Sequence, residues 1–303
     1  MPGIPSLIAR MLPPLVRERV RPSWYLTRLL FDYYRGGGRL AYDREVGAWV
    51  ARKGFPTCKP VRVVVRSQRE FARFARFGSD PQDTVHRWLD GWTDCRVFWD
   101  IGSANGLEGF FMQAKHGASV VFVEPFAPSV ETLLKTIYVL SKESDRPECF
   151  EVVQGLCDER SGLGKVVLHG VPKAGETQNA AAAGLGEYYY TRNASGRLTQ
   201  QWLAQVSLDD LRYVHGLAPP SHVKIDVDGY EIHVLRGAQR LIESRDVRAF
   251  IVEVNGANGE GVGEIFSRQG YVKAGVYDHG RKPPYTAQDH LFLRDDLATT
   301  TQA

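Results

Sequence analysis

The chain has 303 residues, 43% hydrophobic and 24% charged, a size and balance that suit one substantial core with an extension and exclude a disordered or fibrous protein. Its formal charge of +3 hides an asymmetry, because residues 1–76 hold sixteen Lys/Arg against five Asp/Glu, about +11, leaving about −8 for the remainder. Cys58, Cys95, Cys149 and Cys157 form no C-x-x-C pair, and no charged leader or membrane-length apolar run is present, so the thiols read as reduced and the cytoplasm is the expected compartment.

At the start, Arg10, Arg17, Arg19, Arg21 and Arg28 are interleaved with Leu7, Ile8, Leu12, Leu15 and Val16, and Pro13, Pro14 and Pro22 interrupt the run. A basic amphipathic helix facing anionic lipid or an acidic partner is one reading, and a solvated or self-packing extension is the preferred one. From Trp24 to Trp92 the pattern predicts mainly helix, with Phe71, Phe74 and Phe77 spaced for one buried face. Val61, Val63, Val64 and Val65 predict a short strand before it, and residues 81–92 a short helix after it. Residues 1–92 are thus expected to form a basic, mainly helical N-terminal extension, 93–296 the main domain, and 297–303 a tail.

Past Cys95, strands alternate with helices, which predicts a doubly wound, mostly parallel α/β sheet with helices on both faces. The expected core strands are 97–101, 120–124, 149–153, 222–227 and 249–254, and the expected helices 107–115, 129–140, 230–241 and 261–268. Residues 271–277 and 290–294 predict a closing antiparallel pair. The stretch 165–201, with Ala180–Ala183 and Tyr188–Tyr190, breaks the alternation and reads as a substrate-facing excursion, with plain surface decoration as its equal competitor.

Asp100-Ile101-Gly102-Ser103-Ala104-Asn105-Gly106 follows the first apolar strand and precedes a helix, where a glycine turn lets a ligand approach the backbone. Eighteen residues after Gly106 the second strand ends in Glu124-Pro125, which places a carboxylate where it can accept both hydroxyls of a ribose. A dinucleotide pyrophosphate needs a helix N-terminus free of opposing charge, whereas Asp100 and Glu108 flank this one. The ammonium and sulfonium of S-adenosylmethionine suit that charge better. Asp158, after the third strand, is a candidate for the adenine amino group, with a plain turn role as its competitor.

The fourth strand reads Lys224-Ile225-Asp226-Val227-Asp228-Gly229, and period-two alternation puts Lys224, Asp226 and Asp228 on one face. Charges in a central strand must be paired or serve a purpose. Asp226, helped by Glu253, is the candidate base for a hydroxyl acceptor, with Lys224 holding the carboxylate or a developing alkoxide. A buried Lys–Asp pair that only fixes strand geometry is one alternative. A Mg²⁺ held by Asp226, Glu253 and Asn255 is another, and it is not favoured. Ser207 with Asp210 reads as a helix cap, and His233 and His290 as structural.

The Asp-x-Gly-x-x-x-Gly turn at 100–106, Glu124-Pro125, and Lys224-Ile225-Asp226-Val227-Asp228-Gly229 with Glu231 resemble the FkbM family of methyltransferases. Leu235-Arg236-Gly237-Ala238, Glu253 and Leu156-Cys157-Asp158 also match its pattern. The resemblance covers about residues 82–294 and implies a class I methyltransferase-like (Rossmann-like) fold, S-adenosylmethionine as cofactor and usually O-methylation of sugars or secondary metabolites. Ala104 and Glu108 depart from the family's usual Asn and Tyr; Asn105 can replace the former by a one-residue shift. The expected partner is a small-molecule or glycan hydroxyl acceptor rather than nucleic acid, for which no aromatic platform is evident. The rival classes are a nicotinamide-dependent oxidoreductase, against which Asp100 and Glu108 argue, and a non-catalytic module docked through the basic N-terminus.

Overall fold

Runs of valine and aromatic residues cut by glycine turns produce two sheets and a ribbon in the computed structural model, which describes residues 24–79, 83–142, 149–169, 180–181, 198–227, 229–255, 259–279 and 287–298. The basic run at 7–22, Tyr188–Tyr190, Asp228 and residues 299–303 lie outside the described residues.

The N-terminal part comprises helix α1 (Trp24–Arg35), strands β1 (Arg39–Asp43), β2 (Ala48–Phe55) and β3 (Cys58–Val65), and helices α2 (Gln68–Arg76) and α3 (Thr84–Gly91). The strand expected near Val61–Val65 is β3, but the two before it replace expected helix. Their antiparallel register sets Tyr42 opposite Trp49, with ring centroids 5.6 Å apart, a cross-strand aromatic pair that favours the hairpin. Helix α2 begins at a capping box in which Ser67 Oγ accepts from the Glu70 amide at 3.1 Å and Glu70 accepts from the Ser67 amide. Its Phe71 and Phe74 are buried as the spacing predicts.

The main sheet has the order β13-β14-β12-β11-β4-β5-β6, formed by β4 (Val97–Ile101), β5 (Ser119–Glu124), β6 (Phe150–Gln154), β11 (His222–Ile225), β12 (Ala249–Asn255), β13 (Tyr271–Asp278) and β14 (Ala287–Arg294). The five expected core strands are the parallel ones, and β14 runs antiparallel between β12 and β13. Helices α4 (Leu107–His116) and α5 (Ala127–Ser141) cover one face, and α6 (Leu208–Tyr213), α7 (Glu231–Arg236), α8 (Gln239–Glu243) and α9 (Gly259–Ser267) the other. The expected helix at 230–241 is divided at Gly237 and Ala238, and a Cβ at Gly237 would lie 2.2 Å from the Asp158 carbonyl oxygen, so this position must be glycine. A short α10 (Asp295–Ala298) follows the last strand. This is a class I methyltransferase-like α/β fold.

Alternation along the central strands sorts the core. Phe98, Val120, Phe122 and Ile251 join the N-terminal part in one cluster, while Trp99, Ile101, Val121, Val123, Val223, Ile225, Phe250 and Val252 form a second on the opposite face. The N-terminal part is packed into the first cluster. Phe111 of α4 meets Phe55 and Phe77 at centroid separations of 5.3 and 5.4 Å.

The unusual stretch begins and ends as a ribbon. Strand β8 (Gly162–His169) pairs antiparallel with β10 (Leu198–Val206), flanked by β7 (Leu156–Cys157) and β9 (Ala180–Ala181). Residues 170–179 and 182–197 lie outside the described residues.

Candidate active site

From β4 the chain winds outward to β5 and β6, then returns to place β11 on the other side of β4. That reversal opens a crevice outside the carboxyl ends of β4 and β11, where ligands of open α/β sheets bind. The glycine turn and the charged end of the fourth core strand both meet there. Gly102 has φ +75°, and a Cβ on it would lie 1.9 Å from the Asp226 carbonyl oxygen, so only glycine lets the turn pass this close to β11. Gly106, at φ +70°, caps α4.

Around this turn lie polar groups with no partner in the protein. Asp100 is fully buried; its Oδ2 accepts from the Gly109 amide at 3.3 Å and its Oδ1 accepts nothing. Ser103 Oγ and both polar atoms of the Asn105 side chain are likewise buried without partners. Such groups cost about 1–3 kcal/mol each when left unsatisfied. A carboxylate, a hydroxyl and an amide side by side match the ammonium and carboxylate of an amino acid.

Glu124, at the end of β5, is 4% exposed. It accepts from the Ala104 amide at 2.8 Å and from the Phe126 amide at 2.9 Å, one bond to each oxygen. Each oxygen keeps a further lone pair for a hydroxyl donor. The first bond is made while Ala104 itself sits at φ 49°, an uncommon conformation for a residue with a Cβ. Burial pushes the Glu124 carboxyl up to about 7, against the pull of the two amides and of Arg73. Pro125, half-buried, follows Glu124 and leads into α5.

Asp158 stands at the end of the third core strand and β7, with its carboxylate already engaged. Oδ1 accepts from the Glu159 amide at 2.6 Å, and Oδ2 accepts from Gln205 Nε2 at 2.5 Å and the Tyr230 hydroxyl at 3.2 Å. An adenine amino group would share it with these donors.

On the other side of the crevice Lys224 pairs in register with Asp100. Lys224 is 3% exposed, and its Nζ donates to Asp226 Oδ2 at 2.9 Å. Burial works against the lysine charge, yet Asp226, Glu108 and Asp100 hold its pKa above the ordinary lysine value. Burial likewise opposes the Asp226 charge, but Lys224 holds that carboxyl below its usual range. Burial pushes Asp100 up to about 7 in spite of the same lysine. Glu231, at the start of α7, accepts from the Gly229 amide at 2.7 Å and is pushed by burial to about 7.

Glu253 continues the polar row, hydrogen-bonded to Asp226; two carboxyl groups form such a bond by sharing one proton. Its register partner on β14 is Asp289, which sequence reasoning missed. Asp289 Oδ2 lies 2.8 Å from Nε2 of His279, and Glu253 Oε1 lies 3.9 Å from the same nitrogen. Among the described residues no three His, Cys, Asp or Glu side chains come together as a metal ion requires. His290 is buried with Nε2 against Gln288 Oε1 at 3.2 Å, and His233 stacks on Tyr230 at 4.3 Å.

A second residue escaped the sequence reading. Arg73 of α2 exerts its charge on both Glu124 and Asp226. Arg66, just before α2, donates to the Pro128 carbonyl oxygen at 3.2 Å and pairs with Glu131 at 2.5 Å. These bonds fasten the start of α2 to α5 next to Glu124. No local motif marks Arg73, because packing of the N-terminal part brings it in.

The Methyltransferase FkbM domain profile matches residues 100–278. No curated protein matches the chain. Among solved structures, a methyltransferase FkbM from Methylobacillus flagellatus KT is 15% identical, with TM-score 0.43, 89% of this chain covered and 60% of that one; the chain therefore spans less than two thirds of that protein. A precorrin-6y C5,15-methyltransferase from Geobacter metallireducens GS-15 is 8% identical, with TM-score 0.39 and coverage of 69% and 85%. TrmK from M. capricolum, solved with S-adenosyl-homocysteine, is 6% identical, with TM-score 0.41 and coverage of 70% and 68%. The family profile opens on Asp100, runs past Glu124, Lys224, Asp226 and Glu253, and takes in more than half of the sequence: the chain belongs to the FkbM methyltransferases.

Proposed function

We propose that the protein transfers a methyl group from S-adenosylmethionine to a hydroxyl of a sugar, glycan or comparable polar metabolite. The observation that carries the cofactor assignment is the buried acidic lining of the glycine turn, with Asp100 Oδ1, Ser103 Oγ and the Asn105 amide unpartnered and Glu124 at the end of the adjacent strand. When bound, the cofactor supplies an electrophilic methyl group on a sulfonium. Asp100, Ser103 and Asn105, beside Gly102 and Gly106, would hold its amino-acid end. Glu124 would accept from the ribose hydroxyls, with Pro125 setting the bend into α5. Asp158 stands on the same edge for the base.

The acceptor side rests on chemistry rather than on likeness to any one protein. Asp226, Glu253, Asp289 and His279 make a polar row, which suits a hydroxylated acceptor better than a lipid tail. Positioning supplies much of the rate of such an in-line displacement. Lys224 and Asp226 would fix that row and receive acceptor hydroxyls. A small polar acceptor is favoured over nucleic acid. Docking of the basic N-terminus on anionic lipid or an acidic partner concerns residues outside those described.

The test is calorimetric titration with S-adenosylmethionine and, separately, NAD, repeated with Glu124→Ala. Donor binding that weakens at least tenfold in the variant is expected, since a hydrogen bond to a charged group contributes about 1.5–3 kcal/mol. A screen of methyl glycosides with methyl-labelled donor should then yield a labelled ether. Binding of NAD in place of the donor overturns the cofactor assignment, and label on nitrogen or carbon of another acceptor overturns O-methylation.

A further inference from the structure

Three donors already sit on Asp158, and their arrangement decides what the carboxylate can still accept. Each carboxylate oxygen has two acceptor positions. Gln205 Nε2 and the Tyr230 hydroxyl fill Oδ2, while Oδ1 accepts from the Glu159 amide at 2.6 Å. Among the described residues this leaves one open position, on Oδ1. A carboxylate only accepts, so the Gln205 amide must present its nitrogen. Burial and the Asp158 charge hold the Tyr230 hydroxyl protonated, with its pKa above the ordinary tyrosine value.

The two side-chain donors come from different elements. Gln205 lies on β10, and the next residue, Val206, accepts from the Asp158 amide at 3.0 Å. The Gln205 side chain crosses Gly164 of β8, where a Cβ would lie 2.5 Å from Nε2. Leu203, on the same face of β10 as Gln205, is buried against Phe126, whose amide donates to Glu124. The ribbon thus joins Asp158 to the strand end that carries Glu124. Tyr230 enters from the start of α7, 7% exposed, with its ring stacked on His233.

Resting on the S-adenosylmethionine reading, we infer that Gln205 and Tyr230 are positioning residues that make the donor site specific for a 6-aminopurine, by holding Asp158 so that only Oδ1 is open to the base. Adenine offers an amino donor at C6 beside the acceptor N1. A 6-oxopurine reverses both, with a carbonyl at C6 and a donor at N1. A carboxylate held in one orientation takes the amino group and repels the carbonyl, and a site built around such a bond rejects the analogue that lacks it. Released from Gln205 and Tyr230, the Asp158 carboxylate can turn and accept from N1–H instead, and the distinction between the two bases is lost.

The test is calorimetric titration of the full chain with S-adenosyl-homocysteine and S-inosyl-homocysteine, which differ only in the base. Wild type should favour the adenine ligand by about tenfold or more. Tyr230→Phe, which keeps the ring on His233, and Gln205→Met, which keeps the length over Gly164, should each reduce that ratio, and the double variant should bring it below about threefold. Glu124→Ala should weaken both ligands alike and leave the ratio in place, because the ribose is common to them. If Tyr230 and Gln205 serve the fold alone, their variants weaken both ligands equally; a ratio unchanged in the double variant, or near one in wild type, overturns the inference while the donor assignment stands. Failure of wild type to bind S-adenosyl-homocysteine at all overturns the donor assignment and the inference with it.

Discussion

Lys224 Nζ donates to Asp226 Oδ2 across 2.9 Å inside a crevice that also buries Asp100 and Glu108. One cation thus serves three carboxyl groups at the carboxyl edge of the sheet. Removing one partner of a buried pair typically costs about 3–5 kcal/mol, because it strands the other charge. Lys224→Met should lose stability of that order in urea unfolding at pH 7, and the loss should shrink at pH 5 as the stranded carboxyls take up protons. A loss below about 1 kcal/mol at both pH values would mean that the pair does not hold this edge together.

Glu124 makes a separate prediction for the protein without cofactor. Its carboxyl is pushed from an ordinary 4.5 to about 7 by burial, so between those values the folded chain keeps a proton that the unfolded chain releases. Stability from this group is therefore fully present below about pH 4.5 and is lost as pH rises to about 7. Glu124→Gln cannot ionise and should escape that loss. Compared by urea unfolding, the variant should gain up to about 3 kcal/mol on wild type between pH 5 and pH 8. A constant difference between the two proteins across that range would show that Glu124 ionises normally.

The legible parts of this protein were those whose signal is local. Asp100, Gly102 and Gly106 announce a strand, turn and helix within seven residues, and Lys224 with Asp226 announces a charged strand end by alternation alone. The paired strands β1 and β2 were less legible because segments of five and eight residues of mixed polarity suit a helix as well as a hairpin, and the Tyr42–Trp49 pairing that decides between them is set by register. Asp289 and His279 come to the site through the pairing of β12, β14 and β13, which no single segment encodes. Arg73 comes through packing of the N-terminal part on α4 and α5.

Gly102 and Gly117 offer an internal comparison. Both have positive φ, +75° and +64°, but a Cβ at Gly102 would strike the Asp226 carbonyl oxygen at 1.9 Å whereas one at Gly117 would meet nothing within 4 Å. Gly117→Ala should cost only the left-handed penalty of about 1–2 kcal/mol. Gly102→Ala should cost about 2 kcal/mol more, since backbone must shift, and should weaken S-adenosyl-homocysteine binding at least tenfold. Equal melting temperatures for the two variants would remove the close approach of the turn to β11 as the reason for the glycine.

The N-terminal part is bound into the core of the main domain. Phe111 of α4 lies edge-on to Phe55 and Phe77 and is fully buried, and the amide of Val64 donates to Thr136 Oγ1 of α5 at 2.9 Å. Deleting residues 1–92 would uncover this face of α4 and α5 as a contiguous apolar patch of the kind that drives aggregation. The truncated protein should therefore be recovered insoluble, or soluble only with exposed apolar surface that binds a hydrophobic dye. Phe111→Ala in the full chain, with its cavity at the same seam, should cost about 3–5 kcal/mol and weaken both halves together in a single unfolding transition. A truncated chain that melts cooperatively near the full-length temperature, or a Phe111→Ala variant with two separate transitions, would instead make residues 1–92 an independent unit.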